Sequence, residues 1–269
     1  MDKQLSQLIV VFMVLTVVFW LVEFAWPSVR GQKMMRRGLG TDVLYWFFTP
    51  LVTKAVSKLA VLIALVPILL VLGRKIDAQS LAAGYGPVSS LPGWFQVVLI
   101  VVLGDFIGYW VHRGFHSRRL WKFHAVHHSA HELNWLSALR LHPVNDVVAR
   151  ICQAVPFVVL GFSPMVIAAY VPFLTFYAIL LHANVSWTYG PLGQLIASPT
   201  FHRWHHSDEQ DAADKNFAGL FPIFDRLFGT LYLPKDERPK TFGAPDDAVP
   251  DNFWGQMTYP FRRDGVRLE

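Results

Sequence analysis

Apolar residues in this chain fall in long runs rather than in the short alternations of a soluble helix or strand. Residues 5–26 carry no charge until Glu23, and a helix of that length crosses a hydrocarbon core of roughly 30 Å. A cleaved signal peptide would have a shorter apolar core and a small-residue cleavage site, so a retained span is expected. A second span is expected over 55–72, with Tyr45, Trp46, Phe47 and Phe48 leading into it at the membrane interface. After a Gly-, Pro- and Ser-rich loop at 73–93, a third span over 94–111 runs directly into His112. Residues 147–183 are apolar but interrupted by Pro156, Gly161, Pro164 and Pro172. That stretch is long for one span and barely enough for two of about 20 residues each. A tight helical hairpin broken near Gly161–Pro164 is expected, returning the chain to the side it left. From residue 184 the sequence is polar enough for a cytosolic lobe.

The pattern therefore predicts an all-α, multi-pass integral membrane protein with three spans, a helical hairpin and a histidine-rich helical lobe. Composition agrees. Hydrophobic residues make up 53% of the 269 positions and charged residues 16%, below the quarter or so usual in soluble domains. Charge adds an orientation. Arg30, Lys33, Arg36 and Arg37 follow the first span, and Arg113, Arg118, Arg119, Lys122 and Arg140 follow the third. Loops of that kind face the cytosol. No dense basic stripe alternates with exposed aromatics, so no nucleic-acid partner is expected. The single cysteine, Cys152, excludes a disulfide framework, a four-cysteine zinc site and a built-in iron–sulfur cluster.

Histidine changes the picture most. All 11 histidines lie between 112 and 206. His112 and His116 are one helical turn apart, as are His124 and His128, with His127 between them; His202, His205 and His206 repeat the pattern. A lone HisXXXHis pair is most often an ordinary surface or core feature, but three such clusters point to metal. Eight imidazoles exceed the four to six ligands of one ion and suit two. No HisGluXXHis motif of a metalloprotease is present. All-nitrogen sites suit zinc, copper, iron or nickel, and spacing does not choose among them. An odd number of spans before His112, followed by a hairpin, puts all three clusters on one membrane face.

The pattern His112-Arg113-X-X-His116, Leu120-Trp121-X-X-His124-X-X-His127-His128, Leu141-His142-Pro143, and His202-Arg203-X-His205-His206 resembles the fatty acid hydroxylase/sterol desaturase superfamily. The tail Asn216-Phe217 with Phe224-Asp225-Arg226-Leu227-Phe228-Gly229-Thr230 resembles it too, and the likeness covers about 105–233 closely. The seven-residue gap between the first two boxes separates this branch from a more distant membrane-desaturase class. The resemblance implies a non-haem di-iron centre at the cytosolic face that uses O₂ to hydroxylate or desaturate a lipid. A sterol or hopanoid, a fatty acyl chain, an alkylglycerol or a carotenoid would all be compatible substrates. It implies two iron ions, which zinc can replace on purification, and as ligands His112, His116, His124, His127, His128, His202, His205 and His206, with His182 a ninth. His142 is read as either a ligand or a partner of one, and His131 as solvated or facing substrate.

Asp105 lies seven residues before His112, on the same helix face, and is expected either to orient a ligand imidazole or to stabilise a polar helix interface. Asp225 and Arg226 are expected to tie the lobe together. Asn134, Trp135 and Arg140 are read as either lining a substrate entrance or packing. The aromatic tail Phe253, Trp254, Tyr259 and Phe261 is expected to pack against the lobe in preference to gripping the interface. No segment resembles a cytochrome b5 domain or flavin site, so electrons would come from a separate ferredoxin or cytochrome b5-type reductase system. The chain divides, as one domain over 1–269, into spans (1–111), a first catalytic segment (112–146), the hairpin (147–183) and a lobe with tail (184–269). The absence of a C-terminal dilysine signal favours a bacterial inner membrane over the endoplasmic reticulum. The competing function is a membrane metal transporter or metal sensor. That role would place ionisable ligands within the spans near the bilayer midplane, whereas these clusters flank the spans on one side; a third reading is a silent family member that only binds lipid.

Overall fold

The computed structural model describes residues 3–235, 237–244 and 249–262; the end of the tail, 263–269, lies outside them. Among the described residues the regular structure is helical, with two isolated β-bridges, Pro27–Val185 and Ser207–Phe242. Five segments are long and apolar enough to cross a membrane: Lys3–Ala25, Leu39–Val71, Gly93–Phe115, Pro143–Leu160 and Pro164–His182. The chain is a multi-pass membrane protein.

The first segment is α1 (Lys3–Ala25), of which only Phe19 is buried, stacked on Trp135 at 5.4 Å. A helix so exposed and so uniformly apolar leaves the rest of its surface to lipid. The second segment begins well before the expected residue 55. Helix α2 (Leu39–Phe48) passes through one π-helical turn, Thr49–Thr53, into α3 (Lys54–Val71). Pro50, which lacks an N–H, sits at the start of that wider turn and so does not end the helix. Tyr45 and Trp46 accordingly face inward, not toward the interface: Tyr45 packs on Phe253 at 4.9 Å and Trp46 on Trp135 at 5.9 Å.

A short surface helix, α4 (Ala78–Ala83), is capped by Asp77 and precedes α5 (Gly93–Phe115). The expected hairpin is α7 (Pro143–Leu160) and α8 (Pro164–His182), with the helix α6 (Trp121–His128) before it. The break falls where Gly and Pro predict it: Gly161 adopts φ 87°, and Ser163 caps α8 with Pro164 at its first position. Helix α7 starts four residues before 147, because His142 caps it and Pro143 fits its first turn. Asn145 and Asp146 therefore belong to the hairpin rather than to the preceding segment.

Helices α3 and α7 run side by side from the lobe, where Ser57 Oγ donates to Asp146 at 2.6 Å. At their far ends the 84–86 loop presses on Gly161, and a Cβ on Gly86 would come within 2.4 Å of the Leu160 carbonyl. Helices α5 and α8 bring the chain back. The lobe adds three short helices, α9 (Pro199–His205), α10 (Ile223–Leu227) and α11 (Phe253–Thr258). In the tail, Phe253 and Tyr259 are buried in the lobe as expected, whereas Trp254 and Phe261 are exposed. Asp42 on α2 is fully buried and pairs with both Arg36 and Arg140 at 2.6 Å. Arg140 is engaged in that ion pair and Trp135 in the Phe19 stack, while Asn134 and Trp135 also line a cavity beside α1.

Candidate metal centre

Four elements converge on one volume: the last turn of α5, the body of α6, the end of α8, and α9. Each is positioned locally. Helix α5 carries its apolar pattern to His112 and ends at Phe115, with His116 as its C-cap. Helix α9 is started by Ser198, whose Oγ accepts Phe201 N–H at 3.2 Å, with Pro199 at its first position.

Among the described residues the imidazoles form two groups, each with ligand atoms within 4.8 Å of one another. One holds His112, His116, His124, His128 and His205; the other holds His127, His182, His202 and His206. All eight histidines of the three boxes are included, together with His182. Sequence neighbours divide: His127 and His128 serve different groups, as do His205 and His206. Successive helical side chains point about 100° apart, so an adjacent pair can bridge two centres but cannot share one. The groups abut, with His128 and His206 ring centroids 4.3 Å apart.

The hydrogen bonds around the groups fix which nitrogen faces inward. Nδ1–H of His112 donates to the Phe217 carbonyl (2.8 Å), of His116 to Asp214 Oδ1 (2.9 Å), and of His205 to the Lys215 carbonyl (2.7 Å). His124 Nδ1–H donates to Asn145 Oδ1 (2.8 Å), His127 to the Arg140 carbonyl (3.2 Å) and His182 to the Ala178 carbonyl (2.7 Å). With the proton held on Nδ1, the lone pair lies on Nε2. His112 Nε2 then faces His124 Nε2 at 3.0 Å, and His127 Nε2 faces His182 Nε2 at 3.1 Å. Lone pairs so opposed repel, and Nε2 of His116, His128, His205 and His206 is buried without a hydrogen-bond partner. This donor set suits a metal cation in each group, with the outer acceptors setting tautomer and ring orientation. Burial first, and then the neighbouring imidazoles, hold His124, His127, His128, His202, His205 and His206 well below the usual imidazole range. They are therefore neutral at pH 7 and available as donors.

His142 lies outside both groups. It caps α7 by accepting Val144 N–H, and its Nε2–H donates to the Met257 carbonyl. His131 is exposed against Gly243, also away from the groups. Asp105 does not reach an imidazole, because seven residues of helix separate it from His112 by roughly 10 Å along the axis. Its carboxylate instead accepts the N–H groups of Gly219, Leu220 and Phe221 at 2.7–3.0 Å. Asp225 accepts Phe217 and Ala218 N–H and the Thr230 hydroxyl. These two carboxylates clamp the segment 214–221, which carries three of the acceptors.

That segment is what sequence reasoning missed. Asp214, Lys215 and Phe217 hold three of the five histidines in one group. Asp214 and Asn216 take φ of 55° and 58°, a left-handed conformation that Asp and Asn tolerate best. The only sequence sign was the Asn216-Phe217 dipeptide, and Asn145 gave none. Replacing Asp214 by Ala is expected to weaken metal retention in the five-histidine group by about 10–100-fold, and Asn, which keeps an acceptor oxygen, much less. Metal content after graded chelator dialysis measures this. Equal retention by Ala and wild type would show that Asp214 does not support the group.

The profile of the fatty acid hydroxylase family matches residues 97–230. Ornithine lipid hydroxylase OlsE of Rhizobium tropici is 33% identical over 176 residues, which is 65% of this chain and 53% of that protein. Human alkylglycerol monooxygenase is 33% identical over 139 residues, 51% of this chain and 30% of that protein. A Delta(7)-sterol 5(6)-desaturase of Gibberella zeae is 26% identical over 169 residues, covering 60% and 45%. The chain thus spans about half the length of the bacterial relative and less of the other two. No solved structure matches it.

Proposed function

Because the chain belongs to the fatty acid hydroxylase/sterol desaturase superfamily, we propose that it is a membrane-bound non-haem di-iron oxygenase that oxidises a lipid with O₂ and external electrons. The observation that carries this reading is the pair of abutting imidazole groups with inward Nε2 lone pairs. One iron would be held by His112, His116, His124, His128 and His205, the other by His127, His182, His202 and His206. Bound there, two irons would supply the redox capacity for O₂ activation and oxidation of an unreactive C–H bond.

The protein's own contribution is geometric. Asp214, Lys215, Phe217, Asn145, Arg140 and Ala178 hold six of the nine imidazoles in one tautomer. The buried Phe115 packs on His124, and Phe217 on His112, His116 and His205, an apolar wall that would limit water at the groups. The names of relatives at 33% identity, an ornithine lipid hydroxylase and an alkylglycerol monooxygenase, favour hydroxylation over desaturation. The Rhizobium relative and the basic loops around Arg30–Arg37 and Arg113–Lys122 support a bacterial inner membrane with the metal centre on the cytosolic face. Electrons would come from a separate ferredoxin or cytochrome b5-type system. The basic stretch of Arg113, Arg118, Arg119 and Lys122, close to His116 in sequence, suits an acidic donor. Transport is disfavoured, since the ligands gather at helix ends rather than at the midplane.

Iron loading and lipid analysis test the proposal together. Protein made in iron-replete cells is expected to hold two irons per chain, and the host's lipids to gain a species heavier by one oxygen. Stoichiometric metal with lipids unchanged under aerobic, donor-sufficient conditions would reject the oxygenase reading.

A further inference from the structure

Resting on that reading, we propose that the cavity between α1, α3, α7 and α8 selects a lipid with an anionic head group, phosphate or carboxylate. The cavity has a volume of about 430 Å³, within the roughly 300–1,000 Å³ typical of small-molecule sites. Most of its wall is apolar, with Trp46, Leu174 and Ile179 among the lining residues, but one part is charged. There Lys54 and Arg150 line the cavity together with one carboxylate, Asp146. Arg150 Nε lies 3.3 Å from Asp146 Oδ1, and Asp146 Oδ2 is already engaged by Ser57. Two cations against one anion leave a net positive charge on the wall of a largely apolar cavity, Lys54 exposed and Arg150 half-buried. Charges at the margin of a membrane span are costly unless partnered, so the chamber suits a ligand that brings the missing negative charge.

The cavity also leads toward the metal centre. A second cavity of about 200 Å³ reaches His112 and His202, one from each histidine group. The two cavities share Gln153, Leu174 and Ala178 as lining residues. A head group at Lys54 and Arg150 would therefore send its hydrocarbon chain past Gln153 and Leu174 toward the imidazoles. Asn145, which lines the first cavity, accepts the Nδ1–H of His124. An occupant there would touch the residue that orients His124.

Binding to the full-length protein in neutral detergent tests this, using native mass spectrometry with phosphatidic acid, a free fatty acid and diacylglycerol of matched chain length. The anionic lipids are expected to bind at least ten-fold more tightly than diacylglycerol, and the ratio of the two anionic affinities tells phosphate from carboxylate. Lys54→Gln, which leaves the Arg150–Asp146 pair intact, is expected to remove most of that preference, as is Arg150→Gln. Arg74→Gln, in the far loop, should change nothing. Equal binding of all three lipids, or an equal loss from Arg74→Gln, overturns the proposal. Selective anionic binding by a protein that forms no oxidised lipid would instead reject the oxygenase reading and leave this one standing.

Discussion

His127→Ala and His128→Ala should each remove one of two metal equivalents, and the double variant should remove both. The two residues are adjacent on α6 but belong to different groups, so the singles are expected to lose different ions while the fold persists. Each single substitution removes an Nε2 donor from its own group and leaves the other group's ligands and outer acceptors in place. Activity should fall far more than metal content, by well over the ~100-fold ceiling usual for loss of an outer partner, because a two-ion reaction fails when either ion is gone. Metal analysis of purified variants, paired with turnover, decides the matter. Loss of both equivalents from either single variant would show one shared site. Unchanged content in the double variant would show that these imidazoles are not ligands.

The second large effect is expected from Asp105→Ala, although that residue touches no histidine. Its carboxylate accepts three backbone N–H groups from Gly219, Leu220 and Phe221. A buried donor left without an acceptor costs about 1–3 kcal/mol, so the substitution should destabilise the protein by roughly 3–5 kcal/mol. The damage should be directional. Phe217, just before those residues, holds His112, so the five-histidine group should lose metal before the other. Asp105→Asn keeps one oxygen for two of the N–H groups but turns an amide N–H toward the third, and should fall between. Thermal unfolding in detergent with metal content before and after heating tests this, with Asp77→Asn at the exposed cap of α4 as control. Equal metal loss from both groups would reject the directional link through Phe217.

The spans were legible because a bilayer demands long apolar runs, and the hairpin because Gly161 and Pro164 can do little else in such a run. The early start of the second span was not legible, because α2 and α3 are joined by a π-turn at Thr49–Thr53 that only the structure shows. His142 was ambiguous for a related reason. A His-Pro pair reads equally as a ligand and as a helix cap, and only the Val144 and Met257 contacts show that it is a cap.

The supporting shell was the least legible part. Four of its six acceptors are main-chain carbonyls, of Phe217, Lys215, Arg140 and Ala178, and every residue carries one of those. By itself the sequence determined that this is a helical membrane protein with imidazoles concentrated at one end, since both follow from composition and helical spacing. The tertiary structure alone decided how nine imidazoles divide into five and four, and what holds six of the rings. That division depends on the angles at which α5, α6, α8 and α9 meet, and packing between distant segments sets those angles.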